Sequence, residues 1–283
     1  MVPSGPVGER LSFGVGPAAL RVGADDMRKD LARFFRDTLQ MSVRLVATRS
    51  YAQLYDQVAS GELHIAWMPP AVFVRAHDAD DARLLLSTVH ARASRYYGVM
   101  FVRDDSDVRA IEDMRGRSVA WVDASSCAGY LFPRLAMAER GIEPKGFFGE
   151  EMGGGSHERV VEAVAGGIAD AGAGYTHELH LDSGEGPSSA WDHVDLGIEM
   201  RPILRSRPIP NPVLCATRGL PLELEDRIVE RLLRAHETDE GARVLAGLLH
   251  VRRFERASMK DYDVVRAALN VTHSQIRRRT RRK

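Results

Sequence analysis

Cysteine is almost absent from this chain: its 283 residues include only Cys127 and Cys215. Two cysteines cannot form the set of disulfides that stabilises small secreted domains, although one bridge between them stays open as an alternative. A chain of this length buries about three quarters of its unfolded surface and folds without metal or disulfide support. The cysteine content therefore excludes a disulfide scaffold and identifies no compartment.

Long apolar runs and an excess of one charge are also missing. No stretch reaches the roughly 18 apolar residues of a membrane helix, so no transmembrane segment is expected. The 39 Lys and Arg residues balance 39 Asp and Glu residues, which argues against nucleic acid as a partner. With 44% hydrophobic and 28% charged residues, the composition is that of a folded globular protein.

The two ends of the sequence lead to separate expectations. The first ten residues lack a basic segment followed by an apolar one, so the sequence as written predicts a cytoplasmic chain. A signal peptide removed before the sequence was recorded would instead make the protein periplasmic. At the other end, a basic tail (272–283) has six basic residues among the seven from Arg277 to Lys283. We interpret it as a solvated terminus, with a contact to nucleic acid or to an acidic membrane as the alternative.

Strand and helix patterns alternate along the chain and predict an α/β fold. Short apolar strands are expected at 11–15, 43–47 and 63–67, with helices at 25–39 and from Ser50 to Gly61 between them. Ser50 and Gln53 have the spacing of a capping box. This order predicts a parallel sheet with helices on both faces. The same patterns predict a second α/β unit with strands at 84–90, 98–102, 118–122 and 168–173, one helix at about 130–140 and another that ends at 165. The last helices of the chain are expected at about 223–234, 239–249 and 261–269.

We place four small-residue segments at the carboxyl ends of the strands of the predicted parallel sheet: 16–17, 68–70, 123–130 and 153–157. Ligands of parallel sheets bind outside the carboxyl ends of the strands, where such segments lie. The last two lead directly into helices, whose unpaired N–H groups and positive dipole ends favour an anion. Ser125, Ser126 and Ser156 add hydroxyls that cap a helix or donate to a ligand.

Each of these candidates also has a purely structural interpretation. Ser156 can be an ordinary N-cap, and His157 a first-turn residue that a carboxylate or water satisfies. Tyr51 and Trp67 can be core aromatics. Asp170 is harder to explain, because a carboxylate within a predicted apolar strand has to be paired or hydrogen-bonded if it is buried.

Several motifs resemble those of one family. The run Val122-Asp-Ala-Ser-Ser-Cys-Ala-Gly-Tyr-Leu131 resembles its signature Asp-Pro-Ala-Ser-Thr-Ser-Gly-Tyr, at the junction of a strand and a helix. Further similar segments are Gly155-Ser-His-Glu158 with Val164–Gly172, Ser50-Tyr-Ala-Gln-Leu with Gly61–Ala66, Ser206–Val213 and Asp261-Tyr262. The family is the phosphate/phosphite/phosphonate-binding group of type 2 periplasmic solute-binding proteins, the receptors of ABC importers. The resemblance covers about residues 10–265.

The resemblance implies a type 2 periplasmic-binding-protein fold, with two α/β lobes joined by two crossover segments and a ligand cleft between them. Lobe one would comprise 1–92 plus 205–283 and lobe two 93–204, together forming one binding unit. The implied function is a solute-binding protein or ligand-sensing domain that closes around a small anionic or polar solute. The implied partners are that small molecule and an ABC permease or a cytoplasmic signalling protein. No cofactor, metal ion or catalytic residue is expected.

Carried over by position, the residues that hold the oxyanion in relatives are Tyr51, His157 and a hydroxyl triplet, of which only Ser126 is retained. A thiol and a methyl group replace the other two donors, so we expect a ligand that is larger or less charged than phosphonate. Trp67-Met-Pro69 likewise replaces the usual Leu-Gly-Pro. The residues that we predict to line the ligand site are Tyr51, Trp67, Pro69, Ser125, Ser126, Cys127, Ala128, Gly129, Ser156, His157 and Asp170.

An enzyme on the same fold, of lyase or cofactor-biosynthesis type, is the alternative function. A cysteine at a helix N-terminus has a lowered pKa, and a histidine across the same cleft would serve as its base. Cys127 and His157 would form that pair. The competing interpretation is that Cys127 is a buried and inert cysteine.

Overall fold

The computed structural model describes residues 10–16, 24–90, 93–179, 188–195, 197–248 and 251–280. The strands are β1 (Arg10–Val15), β2 (Ser42–Ala47), β3 (Ile65–Met68), β4 (Ala82–His90), β5 (Ala93–Arg103), β6 (Ser118–Trp121), β7 (Glu150–Gly153), β8 (Ala171–Leu179), β9 (Ser188–Ser189), β10 (Met200–Pro208), β11 (Val213–Thr217) and β12 (Val251–Glu255). The helices are α1 (Ala24–Leu39), α2 (Tyr51–Ala59), α3 (Pro70–Asp78), α4 (Phe132–Glu139), α5 (His157–Ala165), α6 (Leu222–Leu233), α7 (Asp239–Leu248) and α8 (Asp263–Thr280). None of the helices in these ranges is both long and apolar enough to cross a membrane.

The described residues separate into two compact units. The first unit lies within Met1–Arg92 and Asn211–Asp261, and the second within Ala93–Pro210 and Tyr262–Lys283. The boundary after residue 92 coincides with the expected one. The second boundary falls after residue 210 rather than 204, because β10 pairs antiparallel with β5 and belongs to the second unit's sheet. The expectation that 205–283 completes lobe one also fails for α8, which packs against α4 in the second unit.

The first unit is built on a mixed sheet with strand order β12-β4-β11-β3-β1-β2. The predicted parallel pairing is confirmed for β1 with β2 and for β1 with β3. The other half of the sheet is antiparallel, since β11 pairs antiparallel with both β3 and β4. One face buries a core in which the rings of Phe13 and Phe35 stack at 4.2 Å.

The capping prediction for α2 is confirmed in the first unit. The Ser50 side chain accepts a hydrogen bond from the Gln53 N–H at 3.1 Å. In return Gln53 Oε1 accepts from the Arg49 N–H at 2.8 Å, one residue before the expected donor. Gly61 follows the helix with φ of +75°, a conformation that glycine adopts without steric cost.

The second unit is built on a sheet with strand order β10-β5-β8-β6-β7, and β9 pairs with β8. The central strand β6 is parallel to both β7 and β8, whereas β5 is antiparallel to β8. Met137 of α4 belongs to one core cluster of this unit and Val160 of α5 to another. We call the edge at which β6 and β7 begin the amino edge and the edge at which they end the carboxyl edge.

Both cysteines are buried free thiols, and the two lie in different units. The Cys215 Sγ donates to the Ala66 carbonyl at 3.4 Å, and burial raises the pKa of this thiol to about 12. Cys215 is therefore an inert part of the first unit's interior.

Candidate functional site

Two helix starts lie side by side at the carboxyl edge of the second unit. β6 and β7 are paired in parallel from Ser118↔Glu150 to Trp121↔Gly153, so the turns that follow them leave the sheet together. The Gly154 N–H donates to the Trp121 carbonyl at 2.7 Å, and the Gly155 N–H donates to the Val122 carbonyl at 2.9 Å. These bonds hold segments 123–130 and 153–157 next to each other.

The first helix start is built around Ser126. Its side chain accepts from the Gly129 N–H at 3.0 Å, which makes it the N-cap of a helical segment that begins at Cys127. The Leu131 N–H reaches back five residues to the Ser126 carbonyl, so the first turn is π-helical before α4 continues it. A serine hydroxyl that accepts from a backbone N–H keeps its own proton for another acceptor. Ser126 can therefore cap the helix and still donate to a ligand.

Gly129 lets this turn approach the sheet closely. A Cβ at this position would lie 2.3 Å from Val122 Cγ2 and 2.6 Å from Val122 Cβ, distances that no side chain tolerates. The preceding turn is fixed by Asp123, whose Oδ1 accepts from the Ser125 N–H at 2.6 Å. The shape of this turn thus explains both ends of the motif, Asp123 through its hydrogen bond and Gly129 through its lack of a side chain.

The two residues that replace the family's hydroxyls are both buried. The Cys127 side chain is 5% exposed and Ala128 is 0% exposed. A cysteine nucleophile has to reach its substrate, so burial favours the inert interpretation of Cys127 over the catalytic one.

The second helix start combines Ser156 with His157. Ser156 caps α5 by accepting from the Arg159 N–H at 3.3 Å, so its structural interpretation is confirmed. Gly155 precedes it with φ of +78°, a left-handed turn that brings the chain into the helix. His157 is the first residue of α5 and half-buried, and its ring meets the Tyr175 ring edge-on at 4.9 Å.

A group of aromatic rings beside the helix starts was missed by the sequence reasoning. The ring cluster consists of Tyr96, His157, Tyr175 and His177. The Tyr175 and His177 rings lie 5.1 Å apart, and the His177 and Tyr96 rings stack at 5.5 Å. A signal is present in the run Ala171-Gly-Ala-Gly-Tyr-Thr-His177. In it, two ring-bearing residues with one residue between them follow four small residues. Its meaning depends on the strand register, which the sequence does not reveal.

Asp170 does not join these residues. It precedes β8 at the amino edge, where its carboxylate accepts from both the N–H and the hydroxyl of Ser118, at 2.8 and 2.6 Å. Its side chain is exposed, and β8 begins only at Ala171. The expectation that Asp170 lies within a strand and binds ligand therefore disagrees with its position at the opposite edge of the sheet.

Three other predicted residues lie in the first unit. Tyr51 begins α2 and its ring covers Gly16 at the end of β1, where a Cβ would lie 2.7 Å from Tyr51 Cε1. Pro69 directly precedes α3. Trp67, in β3, packs against the unit's core, as the structural interpretation of this residue supposed. Tyr51 and Pro69 thus stand at the carboxyl ends of parallel strands, and a part for them in ligand binding stays a prediction.

One ion pair, formed by a buried arginine and a partly exposed glutamate, fastens α4 to the strands beneath it. Arg134 Nη1 lies 2.6 Å from Glu151 Oε2, and the Arg134 side chain is only 5% exposed. The same carboxylate oxygen accepts from Trp121 Nε1 at 2.8 Å. This arrangement fixes the helical segment that starts at Ser126 relative to the ends of β6 and β7. Within the described ranges, no group of three or more His, Cys, Asp or Glu side chains is placed to hold a metal ion.

The chain matches one protein family over most of its length. The family described as ABC transporter, phosphonate, periplasmic substrate-binding protein matches residues 13–262. The phosphate-import protein PhnD of Mycolicibacterium smegmatis is 24% identical over 197 residues, a match that covers 66% of this chain and spans only 59% of that relative.

Two solved structures share the fold. The protein XAC2383 from Xanthomonas citri, bound to ATP, has a TM-score of 0.76 and 18% identity, covering 94% of this chain and 98% of its own. A binding protein component of an ABC phosphonate transporter from Pseudomonas aeruginosa has a TM-score of 0.74 and 18% identity, covering 94% and 89%. The predicted type 2 periplasmic-binding-protein fold, with two α/β lobes, is confirmed by these structures. The chain belongs to the family of phosphonate periplasmic substrate-binding proteins of ABC transporters.

Proposed function

We propose that this protein is the solute receptor of an ABC importer and that its second unit binds the oxyanion of the solute at the carboxyl edge. The observation that carries this proposal is the pair of helix starts held side by side by the Gly154 and Gly155 hydrogen bonds. Two positive dipole ends with backbone N–H donors favour an anion without a lysine or arginine. Ser126 adds a hydroxyl donor to them.

The ligand we propose carries a phosphoryl or phosphonyl group. The named relatives are a phosphate importer, a phosphonate-transporter component and a protein solved with ATP, whose common chemistry is a tetrahedral phosphorus oxyanion. Cys127 and Ala128 supply no hydroxyl, and each missing donor weakens the hold on a bare oxyanion by about 1–3 kcal/mol. The rest of the solute therefore has to contribute more of the affinity than it does where the full triplet is present.

The proposed setting follows the family description. Its members are periplasmic and serve ABC transporters, so we propose a periplasmic receptor that delivers its solute to a permease. The resemblance assigns Tyr51, a residue of the first unit, to oxyanion binding. We propose this tyrosine as a further contact of the solute. Catalysis by Cys127 is not part of this proposal, because a thiol this buried is poorly placed to attack a substrate.

Calorimetry with phosphate, methylphosphonate and ATP tests the proposal. Binding of at least one of them is expected, and Ser126→Ala should weaken it roughly 5- to 150-fold, the equivalent of 1–3 kcal/mol. His157→Gln should weaken the same ligand. The matched control is Ser106→Ala, which removes a similar bond, the one that Ser106 Oγ accepts from the Val108 N–H at 3.2 Å. Absence of binding by all three compounds, or equal effects of the Ser126 and Ser106 variants, would overturn the proposal.

A further inference from the structure

The ring cluster of Tyr96, His157, Tyr175 and His177 adjoins both helix starts. In the β5–β8 ladder, Gly98 is opposite Tyr175 and Tyr96 is opposite His177. The side chains at these two paired positions therefore lie on one face of the sheet. A Cβ on Gly98 would lie 3.0 Å from the Ala128 carbonyl oxygen and 2.8 Å from Pro133 Cδ. The helical segment that Ser126 caps therefore covers Gly98, and Tyr175 lies directly beside it.

Tyr175 also meets the other helix start. β8 runs parallel to β6 with Ala120 paired to Gly172, so Tyr175 stands beyond the last residue of β6. Its ring contacts the ring of His157, the first residue of α5. A substituent attached to an oxyanion at these helix starts would thus extend over the rings of Tyr175 and its neighbours.

The four rings are half-buried, and through Tyr175 and His157 they lie next to the two helix starts where the proposed oxyanion is held. Aromatic side chains that remain partly accessible beside a binding site offer flat apolar area together with polar tips. Aromatic rings prefer offset-stacked or edge-to-face partners, which a planar group supplies and a saturated chain does not. Because two hydroxyl donors are missing next to the ring cluster, more of the binding free energy has to come from the substituent and less from the oxyanion.

An ammonium substituent is the other group that aromatic rings recognise, and the cluster suits it less well. Two of the four rings are imidazoles, which are not among the Trp, Tyr and Phe rings whose faces attract cations. The neighbouring carboxylate of β8, Glu178, accepts from the Tyr97 hydroxyl at 2.7 Å and lies 3.8 Å from Arg205. Because Tyr97 is opposite Thr176, that contact is on the other face of the strand.

From this arrangement, and resting on the function proposed above, we propose that the solute carries a planar, π-bonded group that packs on the ring cluster while its phosphorus oxyanion occupies the helix starts. The oxyanion itself stays at the helix starts, as in the function proposed above.

The test compares three phosphonates by calorimetry: phenylphosphonate, cyclohexylphosphonate of nearly equal size, and 2-aminoethylphosphonate. Phenylphosphonate should bind about three- to tenfold more tightly than the cyclohexyl compound, the range that a specific aromatic pair adds beyond buried area. Tyr175→Leu should bring this ratio close to one, while Tyr175→Phe should preserve it. Tyr55→Leu, a change at a half-buried tyrosine of the first unit, is the control and should leave the ratio unaltered.

Each outcome decides a different claim. Equal affinity for the phenyl and cyclohexyl compounds, or tightest binding of 2-aminoethylphosphonate, overturns the inference while the oxyanion proposal stands. No binding of any phosphonate, phosphate or ATP overturns the proposed function itself. If Tyr175→Leu does not fold, Tyr96→Leu at the far end of the cluster takes its place, and a retained ratio there counts against the inference.

Discussion

The two edges of the second unit's sheet carry similar residue types and use them differently. At the amino edge, Asp170 accepts two hydrogen bonds from Ser118, and Arg117 forms an ion pair with Asp107 at 2.6 Å. At the carboxyl edge, Ser126 and Ser156 cap helices and keep hydroxyl protons that can be donated elsewhere. Polar groups that complete their bonding within the protein stabilise it, whereas donors left beside a helix start make a binding site.

The largest loss of stability is expected where a side chain is added to the closely packed turn at the carboxyl edge. Gly129→Ala places a Cβ 2.3 Å from Val122 Cγ2 and should lower the free energy of unfolding by about 3 kcal/mol, at the upper end for overpacking. Gly153→Ala is the matched control, because nothing lies within 4 Å of a Cβ there. Urea denaturation measures both variants. Equal stability of the two alanine variants would contradict the close approach of the turn to β6.

The ion pairs of this unit allow a second comparison, between a pair with a buried arginine and a pair with an exposed carboxylate. Glu151→Gln leaves Arg134, which is 5% exposed, without its anion and should cost about 2 kcal/mol of stability, less than a fully buried pair because Glu151 is partly solvated. Asp105→Asn removes the partner of Arg103, a pair whose carboxylate is 66% exposed, and should cost below about 1 kcal/mol. Thermal unfolding of both variants gives the ranking, and the reverse order would show that the buried pair does not fasten α4.

The parts of the fold that could be predicted from the sequence are the local ones. The caps at Ser50, Ser126 and Ser156 depend on residues three positions away, and all three were among the interpretations that short-range patterns offered. The parallel strands of the first unit also follow from a short alternating pattern. These features need no knowledge of distant pairing.

The parts that were missed depend on distant partners. β7, β11 and β12 are short strands that exist because they pair with β6, β4 and their neighbours. The strand expected at 168–173 begins at Ala171 and extends to Leu179, since β5 pairs along it. That shift explains why Asp170 was placed inside a strand and why the rings of Tyr175 and His177 were overlooked.

Restoring a donor to the carboxyl edge should have a moderate effect on binding. Cys127→Thr adds a hydroxyl beside the Ser126 cap and should tighten phosphate binding by roughly fivefold, or about 1 kcal/mol. Ala128→Ser should add less than this, because Ala128 is fully buried and part of the gain is lost to burying the new hydroxyl. Calorimetry of the two single variants separates these effects. A larger gain from Ala128→Ser would mean that the third position of the triplet faces the ligand.

The smallest expected effect concerns the amino side of the first unit's sheet. The Ser12 N–H donates to His64 Nδ1 at 3.0 Å, so this nitrogen carries no proton, and His64 itself directly precedes β3. Burial, and secondly the charge of Arg44, lowers the pKa of His64 below its ordinary value of 6.5. The unfolded chain therefore binds the proton more readily than the folded one.

The sign of the pH dependence follows from that difference. Just below pH 6.5 the unfolded state holds more protons than the folded state, so stability rises with pH there. The stabilising contribution of His64 is therefore complete above its unfolded pKa and is lost as the pH falls toward its folded pKa. His64→Asn keeps an acceptor for the Ser12 N–H but does not titrate in this range. Melting temperatures measured from pH 7.5 down to 5 should therefore decline less steeply for His64→Asn than for the unchanged protein. Parallel declines would show that the imidazole at this edge is not a pH-dependent element of the fold.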